Sequence, residues 1–304
     1  MEPFKVHILG CGSAVPTNHH LLSSQVVEVR GKLFMVDCGE GTQLNMRTGK
    51  LSFSRLHAIF ISHTHGDHCL GLLGMISTFG LLGRSAPLHV YAPADYEDLF
   101  RRQMEYFCSR LDYQVVFHPV DTTIKATLYE DRAITIESIP LEHRTPCCGF
   151  LFRERPSLPH IRREMIDFYH IPTCHINNIK NGGDWLMPDG EVIPHARLVT
   201  PAEPPRSYAY CSDTRYIPTL HQLISGVSTL YHESTYAKTE EEHARLYYHS
   251  TGEQAALVAR DAGAGKLLLG HYSARYNKED ALLEEAKTIF PTSFLTNEGM
   301  TFEV

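Results

Sequence analysis

The chain has 304 residues, 43% hydrophobic and 21% charged, an ordinary globular composition that excludes a disordered, collagen-like or coiled-coil polypeptide. Its net charge of −7 argues against whole-surface attraction to nucleic acid while leaving room for a local basic patch. No run approaches the ~18 apolar residues of a membrane span, the start at Met1–Gly10 lacks an export-signal pattern, and eight cysteines are too sparse for a disulfide scaffold, so the expectation is a cytoplasmic protein with reduced thiols and no membrane contact.

The first forty residues read as strands: Lys5–Leu9, then Val26–Val29 and Leu33–Val36 around the turn Arg30-Gly31-Lys32. Gly10-Cys11-Gly12-Ser13 lacks the third small residue of a dinucleotide-binding loop, because Val15 stands in that place. Its glycines are expected to let the backbone turn tightly. His57–Ser62 is a buried-strand pattern that runs straight into His63, followed by an apolar helix over Leu70–Leu82. Strand Leu88–Ala92 and helix Asp95–Ser109 repeat that order, and strands follow at Gln114–Phe117, Ala126–Tyr129, Ala133–Ile139 and Gly149–Arg153.

From Pro156 to Pro205 prolines cluster, and the segment reads as a long irregular insertion holding one short helix, Ile161–Tyr169. Strand Ser207–Cys211 then resumes the pattern. A helix near Pro218–Ile224, strand Thr229–His232, a helix capped by Ser250 with Glu253, strand Lys266–Leu269, helix Lys278–Ile289 and two short strands complete the chain. No linker separates two autonomous units, so residues 1–304 read as a single domain with an insertion at about 156–205.

The chemistry concentrates in His63-Thr64-His65-Gly66-Asp67-His68, four ligand-type side chains within six residues directly after an apolar strand. Neutral imidazoles and a carboxylate suit zinc or a similar divalent ion, and a loop leaving a strand end can converge several of them. That motif leaves coordination positions to fill. His143, Asp213 and His271 each stand just past the end of an apolar strand, where an open sheet collects its site residues.

These residues resemble the metallo-β-lactamase superfamily and, within it, the ribonuclease Z family. The likeness runs from Leu9-Gly10-Cys11-Gly12-Ser13-Ala14-Val15-Pro16 through Asp37–Gln43, His63–His68, Cys211-Ser212-Asp213-Thr214-Arg215, His232-Glu233-Ser234-Thr235 and His249-Ser250-Thr251 to His271–Tyr276. The resemblance implies an α/β metallo-β-lactamase fold, a four-layer αββα sandwich with a protruding arm insertion. It implies two zinc ions per chain, with manganese or iron also accepted by such donors. His63, His65 and His143 would hold one, Asp67, His68 and His271 the other, and Asp213 would bridge them. Asp67 would also orient the attacking water, and His249, partnered by Glu233, would protonate the leaving oxygen.

The implied reaction is endonucleolytic removal of the 3′ trailer from precursor tRNA, with tRNA as partner, a homodimer as assembly and the arm as tRNA holder. Five arginines between Arg144 and Arg163 (144, 153, 155, 162 and 163) against the one acid Glu154 could engage phosphates. The family's basic stretch after Pro16 is replaced by Thr17-Asn18-His19-His20, and the arm's Gly-Pro-rich tip by Pro172-Thr173-Cys174-His175. A small-molecule metallohydrolase acting on a lactam, thioester or lactone would use the same core. A scaffold with a structural zinc would need only four closed ligands, fewer than stand here.

Overall fold

The computed structural model describes residues 3–304. Period-two burial in the early strands dictates two apolar faces. In Lys32–Val36, Phe34 and Val36 enter one core while Leu33 and Met35 enter another, and Leu56–Phe60 splits likewise between Ala58 with Phe60 and Leu56 with Ile59. A strand buried on both faces needs a layer on each side.

Two seven-stranded sheets supply the central layers. The first runs in the order Thr301–Glu303, Phe4–Gly10, Ser24–Val29, Lys32–Val36, Leu56–Phe60, Leu88–Pro93 and Val115–Val120, antiparallel at its start and parallel from Lys32–Val36 onward. The second runs Ser293–Leu295, Lys266–Gly270, Thr229–Glu233, Ser207–Cys211, Cys148–Glu154, Ile134–Pro140 and Thr127–Glu130. Its first four strands are parallel.

The sheets share one core in which Phe60 meets Phe150 at 5.3 Å and Phe34 meets Phe152 at 6.2 Å between ring centroids. Helices Leu72–Leu81 and Glu97–Phe107 pack on the outer face of the first sheet through Leu72, Met75, Ile76, Phe79 and Phe100. Gly252–Ala262 and Asp280–Ile289 pack with the second through Ala255, Ala259, Leu282 and Ala286. The αββα order expected from the resemblance is therefore present. Among the described residues no helix is long and apolar enough to cross a membrane, and all eight cysteines are free thiols, seven of them buried.

Several local readings change. Gly10 does not provide a tight turn: a Cβ there would lie 1.8 Å from the Leu22 carbonyl oxygen, so the glycine permits close approach of two backbones beside a bulge in the pairing. The expected Leu70–Leu82 helix is present as Leu72–Leu81, preceded by a separate short helix, Gly66–Cys69, that takes up part of the histidine motif. Thr251, not Ser250, caps the helix Gly252–Ala262, in a reciprocal box with Gln254 rather than Glu253. Ser250 instead donates its hydroxyl to the Thr214 carbonyl at 2.7 Å. Helices Thr42–Thr48 and Glu241–Tyr247 were not expected.

The chain divides into two compact units, one comprising the residues through Arg153 together with Arg206–Val304, the other Glu154–Pro205. The second unit is more ordered than its proline content suggests. Helices Arg163–Phe168, Thr173–Lys180 and His195–Leu198 and two two-stranded pairs surround a core of Tyr169, Ile171, Ile179, Trp185, Ile193, Leu198 and Val199. Pro172 to His175, expected as a loop tip, is the entry to the second of these helices.

Candidate metal centre

The ligand-type residues singled out by sequence converge on one point of the larger unit. Asp213, His271 and Asp37 each follow a strand end and adopt left-handed backbone, with φ of 57°, 59° and 57°. For non-glycine residues this conformation persists only where the surroundings over-determine it, and here it aims each side chain at the centre.

The Asp213 carboxylate lies between two groups of donors. Its Oδ1 is 3.8 Å from both His63 Nε2 and His143 Nε2. Its Oδ2 is 3.0 Å from His68 Nε2 and 3.2 Å from His271 Nε2. Asp67 Oδ2 completes the second side, 3.5 Å from His68 Nε2 and 3.7 Å from His271 Nε2. Ligand atoms of His63, His65, His143 and Asp213 all fall within 4.8 Å of one another, as do those of Asp67, His68 and His271.

Four of the imidazoles are anchored through Nδ1, which turns Nε2 inward. His63 Nδ1 is 3.0 Å from Ser62 Oγ, His68 Nδ1 2.7 Å from Asp37 Oδ2, His143 Nδ1 3.1 Å from the Tyr248 carbonyl, and His271 Nδ1 2.9 Å from Thr235 Oγ1. Such outer partners fix tautomer and ring orientation at a metal site. The inward Nε2 atoms of His63, His68 and His271 are buried and have no hydrogen-bond partner in the protein. Buried polar atoms are rarely left so, and cations between the two groups would satisfy all three. The residues present fit a metal cofactor.

Electrostatics agree. Burial holds the His63, His65 and His143 imidazoles below their ordinary value, hence neutral, the form that binds metal. Burial pushes the Asp67 carboxyl up, but the adjacent His271 and His68 imidazoles outweigh it and the group stays far below its usual range. Asp213 is likewise held well below its usual range, chiefly by the adjacent His271 and His68, against complete burial.

His249 stands beside this group, its ring 5.2 Å from that of His143 and 5.4 Å from that of His271. Its Nδ1 is 3.0 and 3.1 Å from the two oxygens of Glu233. Glu233 is wholly buried and also accepts the Thr214 and Ser250 backbone N–H groups and the Thr235 hydroxyl. Burial would lower the His249 imidazole, yet the adjacent Glu233 carboxylate lifts it to about 9. A cleft of about 310 Å³ is lined by His65, Asp67, His143, Asp213, His249 and His271.

Sequence reasoning gave no role to Asp37 or Thr235, although both lie in motifs that carried the resemblance. Asp37 accepts from Ser62 N–H at 2.8 Å, Ser62 Oγ at 2.9 Å and Tyr210 OH at 2.7 Å while holding His68. Of the five arginines, Arg144 and Arg153 belong to the larger unit and Arg155, Arg162 and Arg163 to the smaller. The Arg144 guanidinium lies over the Tyr247 ring at 4.7 Å, and both residues line the cleft.

The crystal structure of human tRNase Z, short form, matches this fold with a TM-score of 0.71 at 24% identity, covering 99% of each chain. Two stacked mixed sheets with a histidine–aspartate cluster at strand ends define a metallo-β-lactamase-fold protein with a metal centre. A protein named Ribonuclease Z from Bacteroides fragilis (strain YCH46) is 53% identical over 300 residues, 99% of either chain. One of the same name from Bacteroides thetaiotaomicron is 52% identical over 304 residues, 100% of this chain and 96% of the relative. The chain belongs to the ribonuclease Z family, and over residues 4–287 it also belongs to the family described as Anti-Pycsar protein Apyc1.

Proposed function

We propose that the protein is a zinc-dependent endoribonuclease that hydrolyses precursor tRNA at the 3′ trailer, leaving a 3′-hydroxyl on the tRNA and a 5′-phosphate on the trailer. The carrying observation is the Asp213 carboxylate, with one oxygen toward His63 and His143 and the other toward His68 and His271. His63, His65 and His143 would hold one ion and Asp67, His68 and His271 a second, with Asp213 between them. When bound, paired cations supply a water that is nucleophilic at neutral pH and neutralise charge on a phosphoryl oxygen. Manganese or iron suits the same donors.

The protein's own groups do the rest. Asp67, ionised and facing the cleft, orients the attacking water and receives its proton. His249 protonates the departing ribose 3′-oxygen from Nε2, while Glu233 holds Nδ1 and keeps the ring charged. The names of the relatives, Ribonuclease Z and tRNase Z, support tRNA as substrate.

We read residues 1–304 as a single catalytic domain carrying the Glu154–Pro205 unit as its tRNA-holding arm. The assembly is a homodimer, and the location is the cytoplasm, in keeping with eight free thiols.

Purified protein should contain about two divalent ions per chain and trim a 3′-extended tRNA transcript. A chelator should stop cleavage and added zinc restore it. Cleavage of an acyl-glutathione thioester or a β-lactam with the RNA untouched would replace this reading with the small-molecule one.

Excising the arm between Ser157 and Glu203, with a short linker in its place, tests the holding role. Cleavage of precursor tRNA is expected to fall by at least about tenfold as phosphate contacts are lost, with a small phosphodiester cut at the parental rate. Equal losses on both substrates would remove the arm from RNA binding.

A further inference from the structure

The loop after the first strand touches the centre through Ala14, whose backbone N–H donates to Asp67 Oδ2 at 2.7 Å. Ala14 has a left-handed φ of 60°, and Ser13, Ala14 and Val15 line the cleft. A conformation of that kind needs external support. The loop is closed on itself by Gly12 N–H to the Leu21 carbonyl at 2.8 Å and Thr17 N–H to the His20 carbonyl at 2.9 Å. Its returning end carries His20, part of the stretch where the family's basic residues are replaced.

The His20 ring is buried, at 7% exposure, with a carboxylate on each side. Nδ1 is 3.1 Å from Glu298 Oε2 and Nε2 is 3.2 Å from Glu279 Oε1. Only the imidazolium donates from both nitrogens at once. The Glu298 hydrogen bond lifts the imidazole above its ordinary value in spite of burial. Glu298 also accepts Leu21 N–H at 2.8 Å and Cys11 N–H at 3.3 Å, so one carboxylate gathers both ends of the loop. The Cys11 thiol, at 3.4 Å, and the Tyr272 ring, at 5.2 Å, complete the surroundings.

We propose that His20, clamped as a cation between Glu279 and Glu298, is a positioning residue that fixes the Ser13–Leu21 loop and through Ala14 N–H holds Asp67 in register. The inference rests on the role proposed above for Asp67. Two other uses of the cluster are disfavoured by its geometry. Cys11, His20 and Glu298 present ligand atoms within 4.8 Å of one another. Nε2 of His63, His68 and His271 makes no hydrogen bond in the protein, whereas both nitrogens of His20 already hydrogen-bond to carboxylates. Nor does this side chain grip RNA, since two carboxylates flank the ring and repel phosphate.

The test compares the zinc-loaded wild type with His20→Gln and His20→Arg, measuring kcat and KM on a 3′-extended tRNA and metal content. His20→Gln should lower kcat by about 10- to 100-fold, as expected for a small misplacement transmitted to a reacting group. KM and the metal content should stay unchanged. His20→Arg should restore most of kcat, because its guanidinium stays charged and can donate to both carboxylates. A rise in KM with unchanged kcat would make His20 a substrate contact and overturn the proposal. So would unchanged kinetics, failure of arginine to rescue, or loss of an additional ion from His20→Gln. Should His20→Gln fail to fold, Glu279→Gln removes one side of the clamp. A fall in kcat then supports the proposal and an unchanged kcat refutes it. If the wild type cuts a small phosphodiester but no tRNA, the substrate reading fails while the clamp is still read on the smaller substrate.

Discussion

Replacing Asp213 with alanine is expected to abolish cleavage of precursor tRNA, by at least about 10⁴-fold, as for removal of one member of a catalytic unit. The same variant should lose the bound metal. The expectation follows from position: among the described residues this carboxylate alone faces both donor groups, with Oδ1 toward His63 and His143 and Oδ2 toward His68 and His271. Without it, five imidazoles crowd a buried space with Asp67 as the remaining carboxylate, and two cations there would repel one another with less charge between them. Metal analysis and single-turnover cleavage on one preparation check both halves. A variant that keeps two ions and more than about a tenth of its rate would show that Asp213 does not link the two groups.

His249→Ala should behave differently, keeping its ions while precursor tRNA cleavage slows by about 10²- to 10⁴-fold, the range for loss of a general acid. A phosphodiester with a p-nitrophenolate leaving group needs no proton and should be cut almost normally. Loss of metal from this variant would instead make His249 a ligand.

The pH dependence carries a sign. His249 acts in its protonated form, so activity should fall as pH rises through its value. That value is about 9 with Glu233 beside it, and the positive charge of bound cations would move it lower. Glu233→Gln removes the charge that raises it and should shift the alkaline limb to lower pH. An unshifted limb would separate Glu233 from the acid.

The inner frame was legible because short apolar runs bounded by turn residues mark buried strands. Leu33–Val36 and His57–Ser62 are short apolar runs of buried-strand type, and His63, His143, Asp213 and His271 all stand just beyond such strands. What stayed hidden depends on partners distant in the chain. Asp37 follows a strand as Asp213 does, but its task is set by Tyr210 and Ser62, which no local pattern links to it. Ser250 and Thr251 are equally plausible caps in sequence, and the Thr214 carbonyl decides between them by engaging Ser250. The arm's prolines masked a small core because Tyr169, Ile179, Trp185 and Leu198 are too widely spaced to show periodicity.

Asp37 joins the interior packing of the molecule to its chemistry. It sits at the end of a strand in one sheet, receives the phenol of Tyr210 from the other, and holds His68 by the ring. Any sliding of one sheet over the other would therefore be felt as a rotated imidazole, even when the disturbance begins among the phenylalanines far from the cleft. Loosening the contact between the sheets, for instance by Tyr210→Phe, is therefore expected to weaken metal binding while the fold is kept, which metal content and circular dichroism on one sample would check.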